Sequence, residues 1–290
     1  FGKWHNGTQW PYHPLARGFD TFYGFTEGHW GDYFNPPMQH NTTFEEGEGY
    51  ITDDITTHAI KFLRNHINST ASKPVLCYVA FNTPHSPMCI PDADWSRFAG
   101  RPLQQRGPDV NKENPVFTRA ALAMVENLDK NVGRILTAID GAGVSRETIV
   151  VFFSDNGPNS ARWCGGMRGK KGSTDDGGTR SVCCVRYPGQ IPSGVRLPQI
   201  TGAIDLLPTL AGLAGVQLRS PKPLDGIDLT AKLKSDTGEK ADQQQLSSRL
   251  AKRHIIASQR GRVSIRTQRF RLDDKGGLYD MLVDIGQKQD

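Results

Sequence analysis

Two loops that follow apolar runs carry side chains suited to chemistry on an anion. Asp155 and Asn156 come shortly after the run at residues 148–153, and His85 follows the run at 75–81. A carboxylate beside an amide supplies the hard oxygen ligands that Ca²⁺ and Mg²⁺ prefer. The Asp-Asn-Gly-Pro sequence is also strong turn chemistry, and on this segment alone a polar turn is the favoured interpretation.

Lysine and histidine side chains elsewhere could supply positive charge and protons. Lys170 and Lys171 lie among glycines, where an ammonium and backbone amides can hold an oxyanion, although the spacing is not that of a P-loop. Lys3 and His5 would share one face if residues 2–5 continue as a strand. His85 lies between two prolines, whose stiff backbone can fix an imidazole, although a lone histidine is more often structural. Together with the Asp-Asn pair, these residues predict a site for a tetrahedral oxyanion that uses a divalent metal.

Alternating helical and strand patterns must position these residues. Apolar residues with helical spacing predict helices at 52–67, capped by Thr52, and at about 117–139. The runs at 75–81 and 148–153 predict strands buried on both faces, as in a parallel sheet. Ligands of open α/β sheets bind beyond the carboxyl ends of the strands, where both loops begin. The sequence therefore predicts an α/β fold with a largely parallel sheet.

The composition changes near residue 218 towards Lys, Gln, Ser and Asp, which predicts a core at 1–218 and an incomplete C-terminal subdomain at 219–290. Within the subdomain, alternating residues at 263–272 predict a half-exposed strand of a small antiparallel sheet. A short helix is predicted at 205–214, with Gly215 as its stop. Residues 1–50 have no sustained periodicity and are interpreted mostly as structured loop.

The composition also excludes two broad classes of protein. Hydrophobic residues make up 37% of the 290 residues and aromatic residues 9%, contents that disordered chains lack. The longest apolar run, at 75–81, is far shorter than the ~20 residues that a membrane-spanning helix needs. The net charge of +5 fits an anionic substrate as well as nucleic acid, and there is no long basic run.

Several motifs, in order along nearly the whole chain, resemble those of sulfatases of the arylsulfatase type, in the alkaline-phosphatase-like superfamily. The GKWH sequence at residues 2–5, followed by ARGFDTFYG at 16–24, is similar to the second signature region of that family. The likeness continues through FNTPHSP at 81–87, FSDNGP at 153–158, RGKKGSTDDGG at 168–178, RYPG at 186–189 and DLLPT at 205–209.

The resemblance implies an alkaline-phosphatase-like α/β/α sandwich with a mostly parallel central sheet and a small C-terminal antiparallel-sheet subdomain. It implies hydrolysis of sulfate monoesters through a covalent sulfo-enzyme intermediate, with a bound Ca²⁺, or Mg²⁺ in some relatives. Asp155 and Asn156 match metal ligands of the family, with Asp155 near the bridging ester oxygen. The substrate would be a sulfated small molecule or a sulfated glycan, not nucleic acid, and the compartment secreted, periplasmic or lysosomal.

The same resemblance implies roles for four basic side chains. Lys171, rather than Lys170, matches the lysine that holds the substrate sulfate. His85 would contact the sulfate and assist the leaving group. His5 would act as a base on the sulfated intermediate, and Lys3 would orient the nucleophile. A sulfate ester gains negative charge on its leaving group in the transition state, so these charges fall where the reaction needs them.

The sequence departs from the family at the nucleophile, which is a formylglycine made from the cysteine of C-x-P-S-R. The 290 residues contain neither that motif nor the two acidic metal ligands that precede it. Cys164 and Cys89 match it only in part and lie in the wrong order, so neither is expected to be the nucleophile. We therefore expect an N-terminally truncated chain that is itself inactive, with the formylglycine in the missing segment. Asp175 and Asp176 also depart from the family, which has an aromatic and then an acidic residue there.

Two other functions remain compatible with the sequence. One is hydrolysis of phosphate or phosphonate esters by an enzyme of the same superfamily with a different nucleophile. The other is a catalytically dead homologue that only binds its ligand. Residues 26–50 and 86–116 are candidates for the loops that set specificity, with His29, Trp30 and Arg101 as named residues, although each is equally compatible with an ordinary surface loop.

Overall fold

A computed structural model describes residues 1–69, 73–107, 109–234 and 240–289 of the chain, with only the backbone described at 240–242. The chain divides into two compact units. The first contains Phe1–Gln104 and Asn114–Val144, and the second contains Gln105–Glu113 and Ser145–Asp290. The division at residue 218 that the sequence suggests stays a prediction.

The first unit contains a four-stranded mixed sheet and three helices. β1 (Gly2–Lys3) runs parallel to β2 (Tyr23–Phe25), and β2, β3 (Pro37–His40) and β4 (Thr43–Glu46) pair antiparallel in succession. Most of residues 1–50 lies outside strands, as the sequence predicted, but the segment also contains four short strands, which carry too few residues to show a period. The helices are α1 (Ile51–Ile67), α2 (Asp92–Ala99) and α3 (Pro115–Gly141).

The predicted strand at 75–81 is wrong as a regular strand buried on both faces. Its pairing is nevertheless present on one edge: the Ala80 amide donates to Phe1 O and the Lys3 amide donates to Ala80 O, both at 2.8 Å. Gly2 and Ala80 form a parallel bridge, whereas Leu76 is 72% exposed. The apolar run identified the segment that joins the sheet, but it could not show how much of that segment is covered.

The helix predicted at 52–67 is confirmed, and its cap is corrected. Ile51, Ile55 and Ala59 are fully buried on the predicted apolar face. Tyr50 takes the N-cap position. Thr52 lies inside the helix, where its hydroxyl is 2.6 Å from that of Thr83.

The helix predicted at 117–139 is also confirmed, and Ala121, Leu128 and Ile139 of its apolar pattern are buried. Val125, another apolar residue of the pattern, is 45% exposed, whereas Asn127 and Asn131 are almost fully buried. Asn131 donates to Asp53 Oδ1 at 2.7 Å, and Asn127 donates to Asp94 Oδ2 at 3.0 Å. A hydrophobic pattern cannot reveal such positions, because hydrogen bonds rather than apolar contacts allow them to be buried.

The buried core of the first unit joins β2 and β3 to helices α1 and α3. The buried members of this core are Tyr23, Phe25, Tyr33, Met38, Tyr50, Ile51, Ile55 and Met124. Their packing supports the sheet that contains β1.

The second unit contains two antiparallel sheets. β5 (Val150–Phe153) pairs with β6 (Cys183–Arg186). β7 (Ile255–Gln259), β8 (Arg262–Arg266), β9 (Phe270–Leu272) and β10 (Leu278–Asp280) form the C-terminal sheet in sequence order. Its helices are α4 (Asp176–Thr179), α5 (Leu206–Ala214), α6 (Thr230–Leu233) and α7 (Lys240–Ala251).

Three sequence expectations for this unit have clear outcomes. β5 is only half-buried, with Phe153 40% exposed, so burial on both faces is wrong. The single strand predicted at 263–272 is two strands, because the Thr267 amide donates to Phe270 O at 2.8 Å and closes a turn between them. The short helix at 205–214 is confirmed, and Gly215 ends it with a φ of 66°. The core of this unit comprises Leu213, Ile227, Leu229, Leu233, Leu246 and Leu250.

Among the described residues, no helix combines the length and apolarity that crossing a bilayer requires.

Candidate functional site

In the first unit, the N-terminal strand carries two of the predicted site residues. The Lys3 amide is held by Ala80 O, and the amide of His5 donates to Thr26 O at 3.2 Å. β1 ends at Lys3, and His5 has a φ of 59°. The strand therefore does not continue to His5, so the condition for Lys3 and His5 to share a strand face is not met. A left-handed backbone is uncommon for a residue with a side chain, and such conformations concentrate at functional sites.

The imidazole of His5 lies directly against the backbone of Gly28. A Cβ built on Gly28 would be 2.0 Å from His5 Nε2. Real non-bonded atoms do not approach so closely, so only glycine is compatible with this position of the ring. Gly28 is a functional candidate that sequence reasoning missed, because nothing in the sequence showed that its missing side chain leaves room for an imidazole.

His85 lies on a loop that hydroxyl groups tie to the first unit. The Tyr33 hydroxyl donates to His85 O at 2.5 Å, and the His85 amide donates to Asn82 O at 2.8 Å. Burial raises the pKa of Tyr33, so the phenol stays protonated and remains a donor. The Thr52–Thr83 hydroxyl contact holds the start of the same loop against α1.

The orientation of the His85 ring leaves one nitrogen for chemistry. Nδ1 is 2.8 Å from Ser86 O, a contact that requires a proton on Nδ1. In the neutral ring Nε2 is then the basic nitrogen, and when protonated it becomes a donor. The loop thus holds the His85 imidazole in the tautomer that is protonated at Nδ1. Proton transfer by this residue would therefore take place at Nε2.

Two further side chains accompany His85. The His29 ring is 4.9 Å from the His85 ring, centroid to centroid, and the two are tilted by 54°. Asn82 is 6% exposed, and neither of its amide atoms has a hydrogen-bond partner among the described residues. Asn82 was missed in the sequence, although its place immediately after the run at 75–81 was the available signal. Arg101, by contrast, lies over the Phe98 ring at 5.0 Å.

In the second unit, Asp155 and Asn156 lie on the loop that follows β5. Asn156 Nδ2 donates to Gly157 O at 2.9 Å, which leaves Oδ1 as the free acceptor of that amide. The Asp155 side chain is exposed and has no ion pair or hydrogen bond within the described part of the chain. The loop thus presents two oxygen donors that no cationic side chain of the described residues neutralises.

Lys171 lies on a second loop that is hydrogen-bonded to the first. The Lys171 amide donates to Pro158 O at 2.8 Å, and the Gly157 amide donates to Gly178 O at 3.0 Å. Lys171 is half-buried, whereas Lys170 is exposed. No anionic partner of the Lys171 ammonium is found among the residues that the structure describes. The structure therefore brings Asp155, Asn156 and Lys171 onto adjoining loops of one unit.

The donor set on these loops fits a hard divalent cation but is too small to hold one alone. Asp155 Oδ and Asn156 Oδ1 are the oxygen types that Ca²⁺ selects, yet Ca²⁺ takes six to eight ligands. No group of three or more His, Cys, Asp and Glu side chains with the arrangement of a metal site occurs within the described ranges.

The surroundings of Cys164 do not favour a nucleophilic thiolate. Burial raises the pKa of Cys164, and its thiol donates to Met167 O at 3.2 Å. A thiol held in its protonated form is a weak nucleophile. Neither Cys164 nor any other cysteine takes part in a disulfide, since all five are free.

The sulfatase family model matches residues 1–216, and the chain belongs to the sulfatase family. It is 28% identical over 251 residues to N-acetylgalactosamine-6-sulfatase of Mus musculus, covering 79% of this chain and 44% of that protein. It is 32% identical over 198 residues to steryl-sulfatase of Mus musculus, covering 65% of this chain and 28% of that protein. The chain thus spans less than half the length of these curated relatives.

The fold is similar to that of solved sulfatase-like structures. Ps i-CgsB in complex with k-i-k-neocarrahexaose superimposes with a TM-score of 0.82 at 27% identity, covering all of this chain and 66% of that one. This confirms the alkaline-phosphatase-like α/β class, here with a mixed sheet and a C-terminal antiparallel sheet. Parallel pairing among the described strands is confined to β1, which pairs with β2 and forms a bridge to Ala80. Fewer of the described strands are therefore parallel than the sequence predicted.

Proposed function

We propose that the chain supplies metal-binding, sulfate-binding and proton-transfer residues to a hydrolase of sulfate monoesters. One observation carries the proposal. Within the family match, Lys171 and Asp155 have no partner of opposite charge among the described residues, and they lie on two loops that are hydrogen-bonded to each other. An unpaired ammonium on one loop and unpaired oxygen ligands on the adjoining loop suit a substrate that carries a tetrahedral anion and a metal that polarises it.

In this proposal Asp155 and Asn156 would hold Ca²⁺, with Mg²⁺ as the alternative, together with ligands from outside the 290 residues. When bound, the cation would neutralise charge on the sulfate oxygens. Lys171 would bind the same anionic group through a charge-assisted hydrogen bond. The family's formylglycine would supply the nucleophile from sequence outside these residues, because the chain has no C-x-P-S-R.

The histidines and Lys3 would handle protons and orientation. His85 would contact the sulfate and donate a proton from Nε2 to the leaving oxygen, while Ser86 O keeps Nδ1 protonated. His5, set against Gly28, would act as a base in the later step that frees the enzyme from sulfate. Lys3 would orient the nucleophile. These roles come from the resemblance, and the fixed tautomer of His85 supports one of them.

Sulfated sugars are the proposed substrates, and a compartment outside the cytosol is the proposed location. The substrate class is supported by the relatives, which include an N-acetylgalactosamine-6-sulfatase and a protein bound to a neocarrahexaose. The location, secreted, periplasmic or lysosomal, rests on the resemblance to the family.

A comparison of an aryl sulfate with the matching aryl phosphate tests the proposed reaction. Protein expressed from its complete coding sequence is expected to turn over the sulfate with at least about a hundredfold higher kcat/KM, because the chain belongs to the sulfatase family. A preference for the phosphate would instead identify a phosphoesterase. Binding of sulfate without turnover of either ester would identify a catalytically dead homologue.

Gly28→Ala tests the position of His5. The added Cβ must displace the imidazole, and a displaced catalytic group is expected to lower kcat/KM for the sulfate ester about tenfold to a hundredfold. Gly31→Ala is the matched control, because a Cβ there meets no atom within 4 Å. Equal activity of the two variants would show that the position of His5 does not matter to the reaction.

A further inference from the structure

The loop that carries Lys171 is bound to the C-terminal sheet through two carboxylates. Asp175 Oδ1 is 3.1 Å from Arg271 Nη2, on β9. Asp176 Oδ2 is 3.5 Å from Arg266 Nε, on β8. Two adjacent acidic residues, four and five positions after Lys171, thus face two arginines from neighbouring strands.

These contacts are buried, unlike most ion pairs at a protein surface. Arg271 is 1% exposed and Asp176 is 6% exposed. A buried charge that loses its partner is strongly destabilised, whereas an intact buried pair contributes more to a defined geometry than to stability. The pairs therefore fix where the loop lies against β8 and β9.

Neighbouring groups complete a charge-balanced network around Asp175. Arg168 Nη2 lies 3.0 Å from Asp175 Oδ1 and 3.2 Å from Asp273 Oδ2, and its guanidinium covers the Tyr279 ring at 4.8 Å. Desolvation opposes the charge of Arg168, but hydrogen bonds to Tyr279 and Asp175 outweigh it and raise the pKa of Arg168. Arg168 and Arg271 thus both contact Asp175, and Arg168 also contacts Asp273. Because Arg168 begins the loop and Asp175 lies near its end, their contact holds the two ends together.

The backbone of the loop is held by the same sheet. The buried hydroxyl of Ser264, on β8, donates to Thr174 O at 3.0 Å. The Gly177 amide donates to Arg168 O at 2.8 Å, and Cβ atoms built on Gly177 or Gly178 would lie within 3 Å of loop oxygens. The loop therefore has little freedom between Arg168 and Gly178, and Lys171 lies within it.

We propose that the C-terminal sheet is a positioning element for Lys171, with Asp175 and Arg271 as its central pair and Asp176 and Arg266 as the second. These four are positioning residues, because none is assigned a contact with substrate. The inference rests on the proposed function, which gives Lys171 the sulfate. It also gives a reason for the departure from the family at Asp175, since the carboxylate there meets the buried guanidinium of Arg271.

Asp175→Asn tests the proposal in the protein expressed from its complete coding sequence. The change keeps the shape of the side chain and removes its charge. We expect KM for an aryl sulfate, and the inhibition constant of inorganic sulfate, to rise about tenfold, because a misplaced Lys171 binds sulfate less well. Hydrogen exchange of the amides at 168–178 should accelerate by about the same factor.

Asp280→Asn is the matched control. Asp280 pairs with Arg269 at 2.7 Å beside the same sheet, but the pair is exposed at Arg269, and no hydrogen bond or ion pair joins it to the loop among the described residues. This variant should keep wild-type KM, sulfate inhibition and exchange at 168–178. Equal effects of the two variants would overturn the proposal.

The KM readout separates positioning from a loss of folded protein. Partial unfolding lowers apparent kcat and leaves KM unchanged, so an unaltered KM and inhibition constant in Asp175→Asn would overturn the proposal. If Asp175→Asn does not fold, Ser264→Ala removes one hydrogen bond to the loop and should raise KM and exchange about threefold. Unchanged values in that variant would equally overturn it.

The exchange readout separates this inference from the proposed function. If the wild-type protein does not turn over sulfate esters, the proposed function fails, and exchange at 168–178 still reports whether Asp175 anchors the loop. Faster exchange with unchanged sulfate inhibition would leave the proposed function intact and overturn the positioning role.

Discussion

Asp155→Ala is expected to lower kcat/KM for an aryl sulfate by about a thousandfold or more, because it removes a proposed metal ligand and its charge from the proposed site. Asp155 has no partner among the described residues, so its loss breaks no protein contact that maintains the fold. The thermal unfolding midpoint should therefore be close to that of the wild type. Activity assays would measure the loss of kcat/KM, and calorimetric titration would measure the expected loss of Ca²⁺ affinity.

Asp274→Ala is the control for this variant. Asp274 is also an exposed aspartate of the second unit without a hydrogen bond or ion pair in the described ranges. It should bind Ca²⁺ and turn over substrate as the wild type does. Near-wild-type activity in Asp155→Ala would contradict the assignment of Asp155 to the metal.

Lys171→Ala is expected to lower kcat/KM for the sulfate ester about a hundredfold, and most of the loss should appear in KM. Its side chain is half-buried, and its removal would take away the proposed charge-assisted hydrogen bond to the sulfate. The backbone contact with Pro158 does not depend on the side chain, so the loop should keep its place. Steady-state kinetics and inhibition by inorganic sulfate would measure the effect.

The adjacent lysine provides the control for Lys171. Lys170→Ala removes the same charge one residue away, but Lys170 is exposed and lies outside the proposed role. It should change kcat/KM by about twofold at most, since an exposed charge that does not contact the substrate is screened by solvent. A larger effect in Lys170→Ala than in Lys171→Ala would show that the resemblance assigned the wrong lysine.

The sequence predicted the long helices because each has many turns of periodic apolar residues. Helices α1 and α3 lie where their patterns begin and end, within a few residues. The buried face of α3 could be predicted only in part, since Asn127 and Asn131 are polar and are buried through partners distant in the chain. The strands β2 to β4 were missed because three or four residues are too few to show a period of two.

The candidate site was predictable by residue type but not by geometry. Asp155, Asn156 and Lys171 could be named from their motifs, and the structure places them on adjoining loops of one unit. The left-handed backbone of His5 and its contact with Gly28 depend on chain segments that meet only in the fold. No sequence pattern could reveal these features.

The role of the C-terminal sheet was hidden for a similar reason. Arg271 occurs in an alternating run that is typical of a half-exposed strand, and the run does not show whether its side chain is buried. It is in fact almost fully buried, because Asp175, from a loop far away in the sequence, neutralises its charge. Burial of a charge depends on its partner, and partners distant in the sequence are invisible to periodicity.

The central claim is that Asp155 and Lys171 serve one sulfate group, and a double-mutant cycle tests it most directly. The measurement is kcat/KM for an aryl sulfate in the wild type, Asp155→Ala, Lys171→Ala and the double variant. If both act on the same group, the second substitution should cost about tenfold or less once the first is present. Losses that multiply in full, or a single variant with wild-type activity, would contradict the claim.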